Sequence, residues 1–555
     1  MPYLEGKRAF LELCVQEGIE FIFGNPGTTE LALMDALAVE ERVRYVLGLQ
    51  EAAVMGIADG YGQASGRLAA VNLHAAPGLG NALGMLHNAK KAGTPLLVTA
   101  GQQNLDFALT EPLLWDDLVS MARPLVKWSA EVTSLHDLPR ALHRAAKTAL
   151  APPTGPVFLS IPGNILTEAA DIDLMVPSRV ASGLRGDAGA IERAASLMAA
   201  SHAPMMFAGD AVAQSRAYAP AIRLAELMGT PVYTESVPST ASFPSSHPLF
   251  AGTIDRVAPA ARAVLDKHDL IVSIGGDLFT QSMASGIEPI PPQARIIHID
   301  LDPWQLAKNY PVEVAILGDP AWVLPELVRE LERKLVGPAL RRAERRRDAA
   351  VAALAEKRAE LLAKARLERD AKPLRPLPLL QALGEALPGD AVVVEEALSS
   401  GLRLRELIRS DDPQSFFGMR GGGIGWGLAA TVGVKLALPG RPVVALTGDG
   451  SSLYTIQALW TAAHERLSTV FVILNNRSYR ILKQRTRAMR GFAAQTGSYV
   501  AMDLLDPDVD FLKLAQSFGA RAVAAQTIED VLSAVARGFK HDGPTLIDVA
   551  IDPEL

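Results

Sequence analysis

The protein is a chain of 555 residues, long enough for three or four domains. Its composition, 49% apolar and 21% charged, is that of a globular protein and excludes chain-wide disorder, a collagen-like repeat or a small disulfide scaffold. With 54 basic and 61 acidic residues the formal charge is −7, which argues against a nucleic-acid partner, and the single cysteine, Cys14, cannot form an internal disulfide. No signal-peptide pattern opens the chain and no apolar run approaches the ~20 residues of a membrane span. A cytoplasmic protein without a membrane partner is expected.

The predicted elements alternate from the start. Ala9, Phe10, Leu13 and Cys14 fall at helical spacing, and Gly18 ends that helix. Residues 19–23 form a short apolar strand, broken by Gly24-Asn25-Pro26-Gly27, after which Thr28 or Thr29 is placed to cap a helix. Strands are expected at 45–49, 68–73, 95–100 and 156–161, with helices at 51–64 and 78–91. Unbroken Val, Ile and Leu between helices mean parallel sheets covered on both faces. The pattern restarts with strands at 204–208, 231–234, 270–274 and 295–299. Residues 341–370 interleave acidic and basic side chains, as in a solvated helix between domains. A third set of strands follows at 391–394, 442–446, 469–474 and 545–549. The fold class is therefore α/β, with three doubly wound parallel-sheet domains. The expected boundaries are 1–180, a central domain at 187–335, a charged helical linker at 336–372, and a last domain at 373–555.

The richest chemistry lies in Gly448-Asp449-Gly450-Ser451 and, after residues 452–474, Asn475-Asn476. A buried strand leads into the first motif, 453–463 reads as a helix, and a second strand leads into the Asn pair. This βαβ unit sets Asp449 and Asn476 at the carboxyl ends of two parallel strands, where open α/β sheets bind ligands. Their hard oxygen atoms suit Mg²⁺, with Ca²⁺ as a substitute. Two side chains are too few to enclose the ion, so phosphate oxygens, a backbone carbonyl and water must complete its shell. A diphosphate is implied. Gly450 lets the backbone approach it, and Ser451 opens a helix whose N-terminus attracts anions. A rival pattern, Gly425-Trp-Gly427-Leu-Ala-Ala430, fits a dinucleotide fingerprint with Asp449 near the place of a ribose-binding acid. That nicotinamide reading leaves Asn475-Asn476 unexplained. No Gly-x-Ser-x-Gly elbow and no His or Cys cluster of metal-ligand spacing occurs.

The spacing of the two motifs resembles the signature of thiamine-diphosphate enzymes. The resemblance implies that Asp449, Asn476 and the Ser478 carbonyl hold Mg²⁺ on the coenzyme's diphosphate. It implies that Glu51, at the start of a helix of Ala, Val, Met and Ile, hydrogen-bonds the aminopyrimidine ring and so activates the coenzyme. Ile424, alone among glycines in Gly421-Gly422-Gly423-Ile424-Gly425, would be the wedge that bends the coenzyme, with the Gly422 carbonyl accepting from its amino group. Gly450, Ser451, Ser399 and Tyr479 would line the diphosphate; Leu398 stands where a hydroxyl residue is usual.

The likeness spans almost the whole chain and is nearest the benzoylformate decarboxylases, in a larger group that includes the acetolactate synthases. It is carried by Phe23-Gly-Asn-Pro-Gly-Thr28-Thr-Glu-Leu, Leu49-Gln-Glu51-Ala-Ala, Gly56-Ile-Ala-Asp-Gly-Tyr61, Asn72-Leu-His74 and Ala458-Leu-Trp-Thr-Ala-Ala463. It implies pyrimidine-binding, central and diphosphate-binding domains in that order. It also implies a homodimer or homotetramer in which Glu51 of one subunit meets Asp449 of its neighbour. Thr28 and His74 would meet the substrate carboxylate and relay protons. Ser282 stands where a second histidine is usual, and Arg485, near Ile481, where an aromatic pocket residue is usual. The implied reaction is decarboxylation of a 2-oxo acid to an aldehyde, with carboligation to an aldehyde acceptor as a second outcome. The basic run Arg480, Lys483, Arg485, Arg487 and Arg490 reads either as a solvated helix face or as a lid toward an anionic substrate. An acetolactate-synthase-like enzyme, a nicotinamide oxidoreductase and a non-catalytic binding protein are the alternatives.

Overall fold

Apolar runs bounded by helices give three six-stranded sheets, each parallel throughout, in the computed structural model, which describes residues 1–554. The first sheet runs, edge to edge, Arg44–Leu47, Phe21–Gly24, Ala69–Leu73, Leu96–Gln102, Val157–Pro162 and Ser129–Glu131. Its central strands are buried on both faces because helices cover them on both sides. The second runs Phe250–Ile254, Val232–Glu235, Pro204–Ala208, Leu270–Ile274, Arg295–Asp300 and Val314–Leu317. The third runs Phe416–Gly418, Val392–Glu396, Val443–Gly448, Thr469–Asn475, Thr545–Ala550 and Arg521–Ala525. A 30-residue helix, Pro338–Leu367, is not simply solvated: Ala339, Ala343, Ala350 and Val351 pack on the core of the second sheet, and Arg342 and Arg346 donate to the Ala199, Ser201 and Met228 carbonyls.

The first and third sheets share one core. Helix Glu51–Ser65 lies against helix Trp426–Ala437, and the contact is made of small residues. A Cβ on Gly433 would strike the Ile57 carbonyl oxygen, and one on Gly56 would come within 2.7 Å of the Ala429 methyl. At the same contact the Trp426 indole donates to Asp59 Oδ2 at 2.6 Å, and the Thr94 hydroxyl donates to the other oxygen. Burial pushes the Asp59 carboxyl above the ordinary range, against the pull of these donors.

Several local expectations are corrected. Neither Thr28 nor Thr29 caps the second helix, Leu31–Leu37: both lie in a 3-10 turn, Thr28–Glu30, that leads into it, Glu30 holds the cap position, and the Gly27 N–H before the turn donates to Glu30 Oε2 at 2.9 Å. Of the helix expected at 453–463 only Ala458–His464 forms; a short helix, Asp449–Ser452, precedes it, and the Thr455 hydroxyl between the two pieces donates to the Gly425 carbonyl. Asp449 therefore opens the first of these pieces, with Gly448 as its cap, where Ser451 was expected. The short strands Ser129–Glu131, Phe250–Ile254, Val314–Leu317, Phe416–Gly418 and Arg521–Ala525 were not expected. All of them pair on one side only, at or beside sheet edges, where a continuous apolar run is not needed.

Candidate active site

Two clusters of polar side chains stand at carboxyl edges of parallel sheets. In the third sheet, four neighbouring strands deliver the glycine-rich loop 420–425, Ser399, Asp449 and Asn476 in spatial order. Asp449 is buried, yet its Oδ2 has no hydrogen-bond partner. Burial pushes its carboxyl up to about 6. A buried carboxylate oxygen left unsatisfied is costly, and a cation beside it removes the cost. Asn476 Oδ1 accepts from the Ser478 N–H at 3.0 Å and hydroxyl at 2.9 Å, which fixes the turn bearing the Ser478 carbonyl. Asn475 braces that turn through Asp548 Oδ1 at 3.0 Å. A Cβ at position 450 would lie 2.6 Å from the Tyr479 ring, so only glycine fits there. The donor set and the unsatisfied oxygen fit a hard divalent cation carrying a diphosphate.

The glycine-rich loop is held from three sides. Glu396, which the sequence reading did not single out, accepts from the Gly425 N–H at 2.6 Å and from the Gly427 N–H. Its carboxyl occupies the N-terminus of helix Trp426–Ala437, so the dinucleotide fingerprint has already spent the N–H groups a pyrophosphate would need. Asn88 of the first domain clasps Gly423, donating to its carbonyl at 2.7 Å and accepting from its N–H at 3.0 Å. Arg420 reaches into the central domain, donating to Asp210 Oδ2 at 2.8 Å and Glu235 Oε1 at 3.0 Å. Gly422 has φ +83, a conformation that favours glycine, and Ile424 follows two residues on, half-buried.

In the first sheet three adjacent strands carry the second cluster. Glu51 follows Arg44–Leu47, Thr28 and Glu30 follow Phe21–Gly24, and His74 follows Ala69–Leu73. Glu51 is buried; its Oε2 accepts from Asn81 Nδ2 at 3.0 Å, and Oε1 faces Gly78. His74 Nδ1 lies 2.9 Å from Glu30 Oε2 and 3.1 Å from the Thr29 hydroxyl. Glu30, 1% exposed, also accepts from the Gly101 N–H at 3.1 Å and the Thr29 hydroxyl at 2.6 Å. This geometry places the Nδ1 proton toward Glu30 and leaves Nε2 to face outward. Thr28 itself is exposed, and the hydroxyl on His74 is that of Thr29. A Cβ on Gly27 would overlap the His74 ring, so that glycine makes room for the imidazole.

On the substrate side, Arg485 Nη1 lies 3.3 Å from Met283 Sδ, which brings it beside Ser282 of the central domain. Ser282 is exposed and its hydroxyl donates to the Arg256 carbonyl at 3.2 Å. Ile481 is half-buried on the same helix, Arg480–Ala488. Arg480 opens that helix and points inward, its Nε 3.3 Å from the Ser399 hydroxyl. No hydrogen bond or ion pair among the described residues joins Glu51 or His74 to Asp449 or Asn476. Glu30 and Glu396 were missed because most of their partners lie on other strand ends, far off in sequence, and Arg480, expected on a solvated face or a lid, instead turns inward to Ser399; the one local signal was Glu30, three residues after Gly27.

Comparison with known proteins agrees with this geometry. Residues 4–121, 191–327 and 399–549 match, in turn, the N-terminal TPP binding, central and C-terminal TPP binding domains of the thiamine pyrophosphate enzymes. The chain belongs to the thiamine pyrophosphate enzyme family, and thiamine diphosphate is its coenzyme. It is 34% identical to a benzoylformate decarboxylase of Pseudomonas aeruginosa over 98% of both chains. An acetolactate synthase large subunit of Haemophilus influenzae is 26% identical over 100% of this chain and 95% of its own. Among solved structures, a 4-hydroxybenzoylformate decarboxylase of Rhodococcus jostii superposes with a TM-score of 0.85 at 31% identity, covering 99% of this chain and 100% of that one. A benzoylformate decarboxylase of Polynucleobacter necessarius gives 0.86 at 30% identity, covering 99% of each. Among the described residues no helix is long and apolar enough to cross a membrane.

Proposed function

We propose that the protein decarboxylates a 2-oxo acid of the benzoylformate kind to the corresponding aldehyde. The observation that carries the reading is the unsatisfied Asp449 oxygen at one sheet edge, matched by the buried Glu51 and the Glu30–His74 pair at the other. Asp449, Asn476 and the Ser478 carbonyl hold Mg²⁺, while Ser399, Gly450, Ser451 and Tyr479 line the diphosphate. Bound thiamine diphosphate supplies an electron sink for cleavage of the bond next to the substrate carbonyl. Glu51 keeps one oxygen on Asn81 and has the other free to hold a proton at the coenzyme ring. Ile424, with the Gly422 carbonyl, sets the shape of the coenzyme's seat. His74, oriented by Glu30, offers Nε2 to the carboxylate and to the proton that replaces CO₂. Thr28 and Ser282 line the mouth of the pocket, with Ile481 and Arg485 above it. The two clusters meet when a second copy of the chain brings its Glu51 edge to the Asp449 edge of the first, in a homodimer or homotetramer working in the cytoplasm.

The relatedness to acetolactate synthases, and a guanidinium at position 485, favour a second reading in which the enzyme joins two carbonyl compounds. A panel of aromatic and aliphatic 2-oxo acids, given with and without aldehyde acceptors, separates the two. Release of CO₂ and aldehyde from benzoylformate is expected with the Mg²⁺–coenzyme-loaded enzyme. Consumption of 2-oxo acid only when an acceptor is present would replace the first reading with the second, and no consumption of any would refute both.

A further inference from the structure

Arg480 is a buried cation that makes no direct ion pair among the described residues, although the Asp552 and Asp449 carboxylates act on it from farther off. It is 6% exposed, and its three polar contacts are all neutral: Nε to the Ser399 hydroxyl at 3.3 Å, Nη2 to the Ser400 hydroxyl at 2.9 Å, and Nη1 to the Asp552 carbonyl at 2.7 Å. Among the described residues no carboxylate stands within ion-pair distance. The Asp552 carboxylate, the nearest candidate by sequence contact, is turned away to Arg375 at 3.6 Å and to the Glu554 N–H at 2.9 Å. Buried guanidinium groups are ordinarily paired, since an uncompensated charge in a low-dielectric interior is strongly unfavourable. Three contacts also leave two of its five N–H donors unused.

The surroundings indicate what pairs with it. Arg480 bridges the end of strand Val392–Glu396, through Ser399 and Ser400, and the end of strand Thr469–Asn475, from which it follows by a short turn. Asp449 and Asn476 stand on the same sheet edge. Of the other cations on this helix, Lys483 pairs with the Asp503 carboxylate and Arg485 lies against Met283 of the central domain. Position 398 holds leucine, which offers the diphosphate no side-chain donor.

We infer that Arg480 is a diphosphate-binding residue, its guanidinium supplying the charge-assisted donors that Leu398 lacks. The inference rests on the coenzyme reading above and names a new residue within it. A divalent cation and a guanidinium then face the diphosphate from two sides, and the phosphate oxygens complete the pairing of a charge that the described residues leave without a direct ion pair.

Affinity, rather than turnover, tests it. Full-length protein freed of coenzyme by chelation is titrated with thiamine diphosphate at saturating Mg²⁺, followed by calorimetry, and the same titration is run with free thiamine. Arg480→Met is expected to weaken thiamine diphosphate binding by about 10- to 100-fold and to leave thiamine binding unchanged. Arg480→Gln keeps a neutral polar side chain with an N–H donor at the position, so it guards against a folding defect, and it should show the same selective loss. Arg480→Lys should recover part of the affinity. At saturating coenzyme the KM for 2-oxo acid should stay within about twofold of the wild type. Unchanged diphosphate affinity in the Met and Gln variants would overturn the assignment, and a raised KM alone would move the guanidinium to the substrate. A wild-type protein that binds no thiamine diphosphate would instead refute the coenzyme reading itself.

Discussion

Glu30 shows how one buried carboxylate can orient a neighbouring imidazole, that of His74, which is proposed above to meet the substrate. Its carboxylate collects the Gly27 and Gly101 N–H groups, the Thr29 hydroxyl and His74 Nδ1. With those partners its position is fixed by the backbone, and the imidazole is oriented through it, as a buried carboxylate orients the histidine of a hydrolytic triad. Replacing Glu30 by Gln keeps the shape but lets an amide N–H compete for Nδ1, so the imidazole loses its fixed tautomer. Turnover is expected to fall by roughly 10- to 100-fold while coenzyme affinity stays unchanged, because the diphosphate site lies on another sheet. Steady-state kinetics beside coenzyme titration checks this; equal loss in both would mean that Glu30 serves only to hold the loop together.

At the scale of elements, what was legible in the sequence follows from burial. Strands covered on both faces are written as unbroken apolar runs, and the expected 204–208 and 270–274 coincide with Pro204–Ala208 and Leu270–Ile274. Edge strands such as Arg521–Ala525 carry a mixture of exposed and buried positions and left no such trace. The Asp449–Asn476 pair was legible as a candidate cation site because both residues belong to one βαβ unit with a fixed spacing. Arg480 and Glu396 were not, since their meaning lies in contacts between strand ends. Nothing in the sequence marked the glycines of the helix pair Glu51–Ser65 and Trp426–Ala437 for the close approach that the structure uses them for. Gly433→Ala should force the pair apart at the Ile57 carbonyl and cost about 1–3 kcal/mol, measurable by denaturant unfolding. An unchanged midpoint would show that the helices can slide to absorb a methyl group. Glu396, at the start of the second helix, adds a pH dependence. Burial holds its carboxyl at about 7, against an ordinary value of 4.5. Between those values the folded chain keeps a proton that the unfolded chain has lost, so this group's contribution to stability is lost as the pH rises from about 4.5 to about 7. In coenzyme-free protein the Tm advantage of the wild type over Glu396→Gln should therefore shrink across that window, and a constant difference would place the titration elsewhere.

For the whole molecule the central question is how the two half-sites come together. Within one chain, Glu51 and His74 stand on the first sheet and Asp449 and Asn476 on the third, and the helices that join these sheets are packed to each other by their small residues. That packing fixes the two edges relative to each other, and on the reading proposed above a second copy of the chain completes each site. An assembly of two-fold symmetry then builds two equivalent sites, each drawing one edge from each subunit. The consequence is specific. Glu51→Gln lacks the proton-holding carboxyl and Asp449→Ala lacks the cation ligand, so each variant alone should be inactive by orders of magnitude. When the two are unfolded and refolded together, half of the dimers formed at random are mixed. In each mixed dimer one site carries both substitutions and the other carries neither. The mixture should therefore regain about a quarter of wild-type activity, and its coenzyme content should rise above that of Asp449→Ala alone. Refolding each variant separately and combining them afterwards controls for exchange. Activity that stays at the level of the separate variants, in samples shown by mass spectrometry to contain mixed dimers, would mean that Glu51 and Asp449 serve the same site from a single chain.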